Sequence, residues 1–122
     1  MATLEAKNFS SSDETREFAG KGRMNIVKVG GMSVGKGTFE PGWRWSQNVK
    51  PIAGTDSCQA LHVGYIMSGR MGVRMDDGTE AEAGPGDVVH IAPGHDAWVV
   101  GNEDCVFIDF GASVEHYAAH HS

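Results

Sequence analysis

Short apolar runs alternate with turn residues from about residue 24 to residue 111, and this pattern predicts strands. In one run, Met71, Val73 and Met75 alternate with polar or small residues, and Asp77-Gly78 after it suits a tight hairpin turn. Many short strands at such spacing predict an all-β antiparallel sandwich or barrel. The other turn signals are Gly30-Gly31, Pro41-Gly42, Pro51 to Gly54, Ser68-Gly69, Gly84-Pro85-Gly86, Pro93-Gly94 and Gly101-Asn102.

The N-terminal residues carry a different signal, that of a short helix. Ser11 can cap it, Glu14 three residues later can complete a capping box, and Gly20 can end it. The expected organisation is therefore an N-terminal segment with a short helix (residues 1–23), a β-barrel (residues 24–111) and a polar C-terminal tail (residues 112–122).

Composition narrows the class of protein. A chain of 122 residues fits one domain with a real core, and a net charge of −6 without a Lys/Arg cluster argues against nucleic acid as a partner. No apolar run approaches the roughly 20 residues of a membrane span, and the first residues lack the layout of a secretory signal. We therefore expect a soluble cytoplasmic protein. Its two cysteines, Cys58 and Cys105, are expected to be free thiols.

Cys58 and His62 are the first candidates for chemistry. They stand four residues apart in an extended-looking segment, so on a strand they share a face, and a thiolate with an imidazole suits a borderline or soft metal. A straight strand would separate them by about 13 Å, so a shared ion requires a bend or bulge. The alternative is a small buried cysteine and a buried histidine that serve only the core.

The segments His62 to Gly69 and Gly86 to His95 resemble the two signature motifs of small single-domain cupins, and the resemblance extends from about Phe39 to Phe110. It implies a jelly-roll barrel with a metal site inside, and it implies a homodimer. The family's three histidines and one carboxylate are absent from the matching positions, so the usual iron or manganese site is not implied. Those positions hold Asp56, Cys58, His62 and Ala97.

Two interpretations of the pocket remain open. In the first, Cys58 and His62 hold zinc, iron or copper with a histidine of the second motif, His95 or His90, and His90 or His95 serves as a proton carrier. In that interpretation Asp96 could orient His95. In the second, the barrel has no metal and binds an organic ligand.

Three tryptophans and an arginine are candidates for ligand binding. On a strand, Trp43 and Trp45 share a face and Arg44 takes the other. The indoles either fill the core or wall a ligand cavity that Trp98 joins, and Arg44 could bind an anionic group. Three further histidines of the tail are expected in solvent, where they could bind metal adventitiously: His116, His120 and His121.

The expected function is a cupin-like barrel that binds a small organic molecule in its interior together with a divalent metal. If the protein is an enzyme, it is a metal-dependent oxidoreductase, isomerase or lyase that acts on a small polar substrate. The alternatives are a metal-free binding or sensory module and a homodimerising structural domain. The sequence contains no Gly-x-Ser-x-Gly, no phosphate-binding loop and no His-Glu-x-x-His motif.

Overall fold

The structure is a computed structural model, and it describes residues 4–110 and residue 114. Nine strands and two short helices account for most of the described chain. In order they are β1 (Glu14–Glu17), β2 (Gly22–Val29), β3 (Met32–Phe39), α1 (Trp45–Asn48), α2 (Lys50–Ala53), β4 (His62–Ser68), β5 (Arg70–Met75), β6 (Glu80–Ala83), β7 (Val88–Ile91), β8 (His95–Val100) and β9 (Cys105–Asp109). A single 3-10 turn, Phe9–Ser11, precedes β1.

The strands form two antiparallel sheets, so the predicted all-β fold class is confirmed. The larger sheet has the order β1-β2-β3-β9-β4-β7 and the smaller one the order β6-β5-β8. Strands that are distant in sequence are neighbours in both sheets, because β9 lies between β3 and β4, and β8 pairs with β5. The hairpin between β5 and β6 turns at Gly78, as Asp77-Gly78 predicts.

The two sheets enclose one core, and the alternation of side chains decides what enters it. On β9, Cys105, Phe107 and Asp109 are buried while the residues between them are partly exposed. On β8 the same period turns His95 and Ala97 inward. Two polar side chains, Asp109 and His95, therefore point into the core because they lie on the inward-facing side of their strands.

The prediction of a helix between Ser11 and Gly20 is wrong. Glu14–Glu17 is an edge strand that pairs antiparallel with Arg23–Ile26. The run is polar on both sides, so a helix there would have no apolar face to bury, whereas an edge strand satisfies its backbone on β2. Gly20, Lys21 and Gly22 all have positive φ and make the tight reversal between β1 and β2.

The segment around the tryptophan pair is also not the strand that was predicted. Gly42 turns the chain after β3, and Trp45 begins α1 instead of continuing a strand. Asp96 determines where this helix starts, because its carboxylate accepts hydrogen bonds from Ser46 N at 3.0 Å and from Ser46 Oγ at 2.9 Å. Both indoles are buried in the core, as the packing interpretation predicts.

Candidate metal centre

Three side chains with metal-ligating atoms meet inside the barrel. One ligand atom from each of Cys58, His62 and His95 lies within 4.8 Å of the other two. All three residues are buried. These are the three residues that the sequence nominated as metal ligands, and the structure brings them together.

A departure from straight strand geometry makes this meeting possible. Cys58 precedes β4 and is bridged to His95, since Cys58 N donates to His95 O at 2.7 Å and Gly94 N donates to Cys58 O at 2.7 Å. His62 begins β4 only after residues 59–61, which belong to no strand. The Cys58 Sγ to His62 Nε2 distance is consequently 3.7 Å, and not the roughly 13 Å of a straight strand. The required bend is present.

Each histidine has one ring nitrogen committed to an acceptor. His62 Nδ1 is 2.5 Å from Asp109 Oδ2, and His95 Nδ1 donates to the carbonyl oxygen of Ala92 at 2.8 Å. In both rings Nδ1 therefore carries a proton, so a metal ion would bind through Nε2 and displace any proton there. The rings pack edge to face with their centroids 5.1 Å apart. The arrangement is that of two oriented imidazole ligands.

The charges of the cluster are coupled. Burial by itself would raise the pKa of Cys58, but hydrogen bonds from His62 and His95 outweigh it and lower that pKa to about 6. Burial would lower the pKa of His62, yet its bonds to Asp109 and Cys58 raise it to about 9. Cys105, also a free thiol, has no such partner, and burial raises its pKa to about 11. Of the two cysteines, only Cys58 has a pKa low enough for a thiolate to form near neutral pH.

The donor set fits a transition metal. In a tetrahedral zinc site with Zn–S of about 2.3 Å and Zn–N of about 2.0–2.1 Å, sulfur and nitrogen lie about 3.5 Å apart. The observed 3.7 Å between Cys58 Sγ and His62 Nε2 is close to that value. A thiolate with two imidazoles favours zinc, copper or iron over magnesium or calcium. Three protein ligands also leave a coordination position open.

The space beside the cluster is small and mostly apolar. A cavity of about 20 Å³ is bounded by His62, His95, Trp43 and Trp45 together with apolar side chains of both sheets. A water molecule needs about 10–15 Å³, so the cavity holds one or two atoms of that size. This cavity by itself is too small for the organic molecule that the sequence predicts in the interior.

A larger groove adjoins this cavity. It has a volume of about 330 Å³ and is lined mainly by apolar residues of β5, β6 and β7. Met71, Ile91 and Phe107 border both the groove and the cavity. A small organic molecule would therefore fit in the groove, with only these walls between it and the cluster.

Two of the predicted ligand-binding residues border the cavity and carry unpaired donors. Trp43 and Trp45 are 2 % and 1 % exposed, and within residues 4–110 and 114 neither Nε1 has a hydrogen-bond partner. A buried donor without an acceptor costs about 1–3 kcal/mol.

The other predicted site residues lie elsewhere. His90 is exposed on the edge strand β7, beside the groove and not among the clustered ligands, because its strand turns Val89 and Ile91 inward instead. Trp98 faces outward on β8, where the Arg44 guanidinium stacks on it at 4.8 Å. Arg44 and Trp98 therefore do not reach the interior. Asp96 bonds to Ser46 and Arg44, so it does not orient His95.

Asp56 and Ala97, the other two positions of the cupin motifs, supply no ligand to the cluster. Asp56 is fully exposed near Lys50. Ala97 does face the interior, where an alanine offers no ligand atom. The three tail histidines, His116, His120 and His121, lie outside the described residues.

Asp109 is the functional candidate that the sequence reasoning missed. It is 1 % exposed and bonds to His62 through its carboxylate. A signal was present, because Cys105, Phe107 and Asp109 alternate along an apolar run and place a carboxylate on the core side. A carboxylate in that position requires a buried partner.

No helix among the described residues is long and apolar enough to cross a membrane.

Comparison with known proteins establishes the class of fold. No family model matches the chain, and no curated protein matches it. Solved structures do match: a cupin-like protein from Thermotoga maritima is 21 % identical, with a TM-score of 0.56 over 94 % of this chain and 84 % of that one. The polyketide cyclase RemF from Streptomyces resistomycificus is 16 % identical, with a TM-score of 0.60 over 88 % and 78 %.

A protein of unknown function from Rhizobium leguminosarum matches at 17 % identity, with a TM-score of 0.60 over 90 % of this chain and 99 % of that one. The fold is therefore of the cupin type, as the sequence resemblance predicts. At these identities the likeness concerns the fold alone. Within that fold, this chain brings Cys58, His62 and His95 together in a buried cluster.

Proposed function

We propose that this protein is a cupin-type barrel that holds one transition metal ion with Cys58, His62 and His95 and admits a small organic molecule to the adjoining groove. The observation that carries the proposal is the convergence of the three ligand atoms within 4.8 Å inside a buried, oriented cluster. Zinc, copper and iron are the metals that suit a thiolate with two imidazoles.

The residues of the chain have distinct parts in this proposal. Asp109 and the Ala92 carbonyl hold the two imidazoles with Nε2 toward the ion, and the closely packed barrel keeps bulk water away from it. When bound, the metal supplies a Lewis acid, or a redox centre in the case of copper or iron. If the protein is an enzyme, His90 beside the groove is better placed to carry protons than His95, whose two ring nitrogens are both engaged.

Metal analysis of matched cysteine variants tests the proposal. The full chain is purified with His116, His120 and His121 replaced by Asn, so that the tail does not contribute bound metal. We expect one equivalent of metal in this protein and in Cys105→Ala, and almost none in Cys58→Ala, with all three showing the same circular dichroism spectrum. Cys105 is the control because it is equally buried but lies outside the cluster.

Cys58→Ala is a better probe than His62→Ala, because removal of His62 would leave the Asp109 carboxylate buried without its imidazole partner. Unchanged metal content in Cys58→Ala would contradict the proposal. Absence of metal from the unmodified cluster would instead favour the metal-free binding module.

We also propose a homodimer formed through the outer face of the larger sheet. Exposed apolar side chains gather there on β4 and β7: Val63, Tyr65, Met67 and Val88 are 37 %, 42 %, 52 % and 74 % exposed. Apolar residues clustered on one exposed face are typical of an interaction surface. Light scattering gives the oligomeric state directly.

A further inference from the structure

We propose that a polar groove on the outer face of the larger sheet is a binding site for a small hydroxylated anion, such as a sugar phosphate or a sugar acid. The groove lies between the N-terminal segment, residues 7–12, and strands β1, β2 and β3, and its volume is about 480 Å³. None of its lining residues belongs to the metal cluster, so this inference goes beyond the proposed metal centre and does not depend on it.

The first argument is the charge of the groove. Its lining includes the cations Lys7, Arg23 and Lys36 and no carboxylate, although the chain as a whole has a net charge of −6. Lys7 is paired with Asp13 at 3.0 Å. Within the described part of the chain, Arg23 and Lys36 take part in no ion pair and no side-chain hydrogen bond, and Glu17 stands opposite Arg23 on β1 without forming one. These two cations can therefore pair with an anion in the groove.

The second argument is that the alternation of the strands turns these side chains toward the groove. On β2, Met24 is buried in the core, so its neighbours Arg23 and Asn25 point to the outer face. On β3, Lys36 lies between two glycines that face the core, so it also points outward. Lys36 is directly opposite Asn25, which makes Arg23 its diagonal neighbour, within reach of a long side chain. Polar atoms accordingly make up most of the lining, and one anion can contact both cations.

The third argument is the supply of neutral hydrogen-bonding groups beside the cations. Asn25 Nδ2 donates to Thr15 Oγ1 at 3.1 Å and to Ser12 Oγ at 3.4 Å, so these three side chains form one connected wall. A hydroxyl group both donates and accepts, so this wall suits hydroxyl groups on a ligand. Sites for small molecules have volumes of roughly 300–1,000 Å³, so a groove of about 480 Å³ suits a molecule of sugar size better than a bare ion.

Amide chemical shifts test the proposal. ¹H–¹⁵N spectra of the full chain are recorded during titration with glucose 6-phosphate, with glucuronate and with neutral glucose, all at the same ionic strength. We expect saturable shifts of the amides of Arg23, Asn25 and Lys36 with at least one of the two anions, and much weaker binding of glucose. The anion that binds identifies the recognised group as a phosphate or a carboxylate. No saturable shift with either anion, or equal affinity for glucose, would overturn the inference.

Charge variants supply the second measurement. Arg23→Gln and Lys36→Gln each remove one cation, so each should weaken anion binding about tenfold. Arg74→Gln makes the same change of charge on the exposed face of the smaller sheet, outside the groove, and should bind as the wild type does.

Cys58→Ala separates this site from the metal centre. It should also bind the anion as the wild type does, because Cys58 is buried in the core and does not line the groove. Unchanged affinity in both Arg23→Gln and Lys36→Gln would overturn the inference. Loss of anion binding in Cys58→Ala would overturn it as well, because the anion would then be bound at the cluster.

Discussion

The Asp109 carboxylate offers the sharpest test of how the cluster is organised. Asp109→Asn keeps the size and planarity of the side chain and removes only its charge. At 2.5 Å from His62 Nδ1, the carboxylate holds the proton on that nitrogen, so Nε2, beside Cys58 Sγ, is the atom that would bind a metal. An amide accepts that proton more weakly, and if its N–H₂ group turns toward Nδ1 it favours the tautomer with a protonated Nε2, which cannot bind.

The expected magnitude follows from this role. Removal of a partner that orients a histidine ligand typically weakens metal binding 10–100-fold, or about 1.4–2.7 kcal/mol. The loss of the charge should also lower the pKa of His62 from about 9, because the carboxylate is one of the two groups that raise it. Both effects arise from one contact, so they should appear together.

Zinc affinity is measured by competition with a chromogenic chelator at neutral pH, in the chain whose tail histidines are replaced by Asn. Asp104→Asn is the matched control, since Asp104 is exposed just before β9 and makes the same change of charge. We expect the control to bind as the parent does. Equal zinc affinity in a correctly folded Asp109→Asn protein would refute the reasoning, because His62 would then not depend on Asp109 for its orientation.

Three further predictions concern pH, packing and assembly. In the metal-free protein the lowered pKa of Cys58 contributes stability that is lost as pH falls through about 6, and the raised pKa of His62 contributes stability that is lost as pH rises through about 9. Between pH 6.5 and 9 the two contributions change in opposite directions and largely offset each other, so urea titrations of the wild type should show nearly constant stability there, whereas Cys58→Ala should lose stability as pH rises from 6.5; a flat profile in Cys58→Ala would contradict this assignment. Gly64→Ala should lower the free energy of unfolding by about 1–3 kcal/mol, because the added Cβ would collide with the backbone oxygen of Ile108 on β9. The midpoint of denaturant unfolding measures this loss, and a variant with the wild-type midpoint would contradict the β4–β9 register. Met67→Lys should convert the proposed dimer to a monomer with an unchanged circular dichroism spectrum, and a persistent dimer in light scattering would exclude this face.

The cupin-type fold could be predicted because its signals are local and ordered. Glycine and proline turns separate strands in which every second residue is apolar, and the two cupin motifs follow each other in the expected order along the chain. The predictions of an N-terminal helix and of a strand through the tryptophan pair were wrong, because tertiary contacts determine the local structure of both segments. The capping-box pattern at Ser11 and Glu14 is overridden by pairing with β2, and the Trp43-Arg44-Trp45 alternation is overridden by the Asp96 contacts that start α1.

The metal ligands could be nominated by residue type, but their geometry could not be derived. Nothing in the sequence fixes the backbone bridge between Cys58 and His95 that brings the thiol next to His62. His90 could not be placed on either face because the register of its strand was unknown, and a one-residue difference in register reverses which face a side chain takes. His95 lies after a Pro-Gly turn, so the sequence left open whether it is an exposed loop residue or a ligand. Asp109 was visible in the alternation of β9, but its partner was not.

The ligands of the cluster come from both sheets: His62 begins β4 of the larger sheet, His95 begins β8 of the smaller one, and Cys58 bridges to the latter. An ion bound by all three would act as a cross-link between the two layers of the barrel. Ligand linkage then predicts that metal at a hundredfold excess over its dissociation constant adds about 2.7 kcal/mol to the free energy of unfolding. The same cross-link should slow amide hydrogen exchange at the beginnings of β4 and β8 together, so that two strands without a shared ladder open as a single unit.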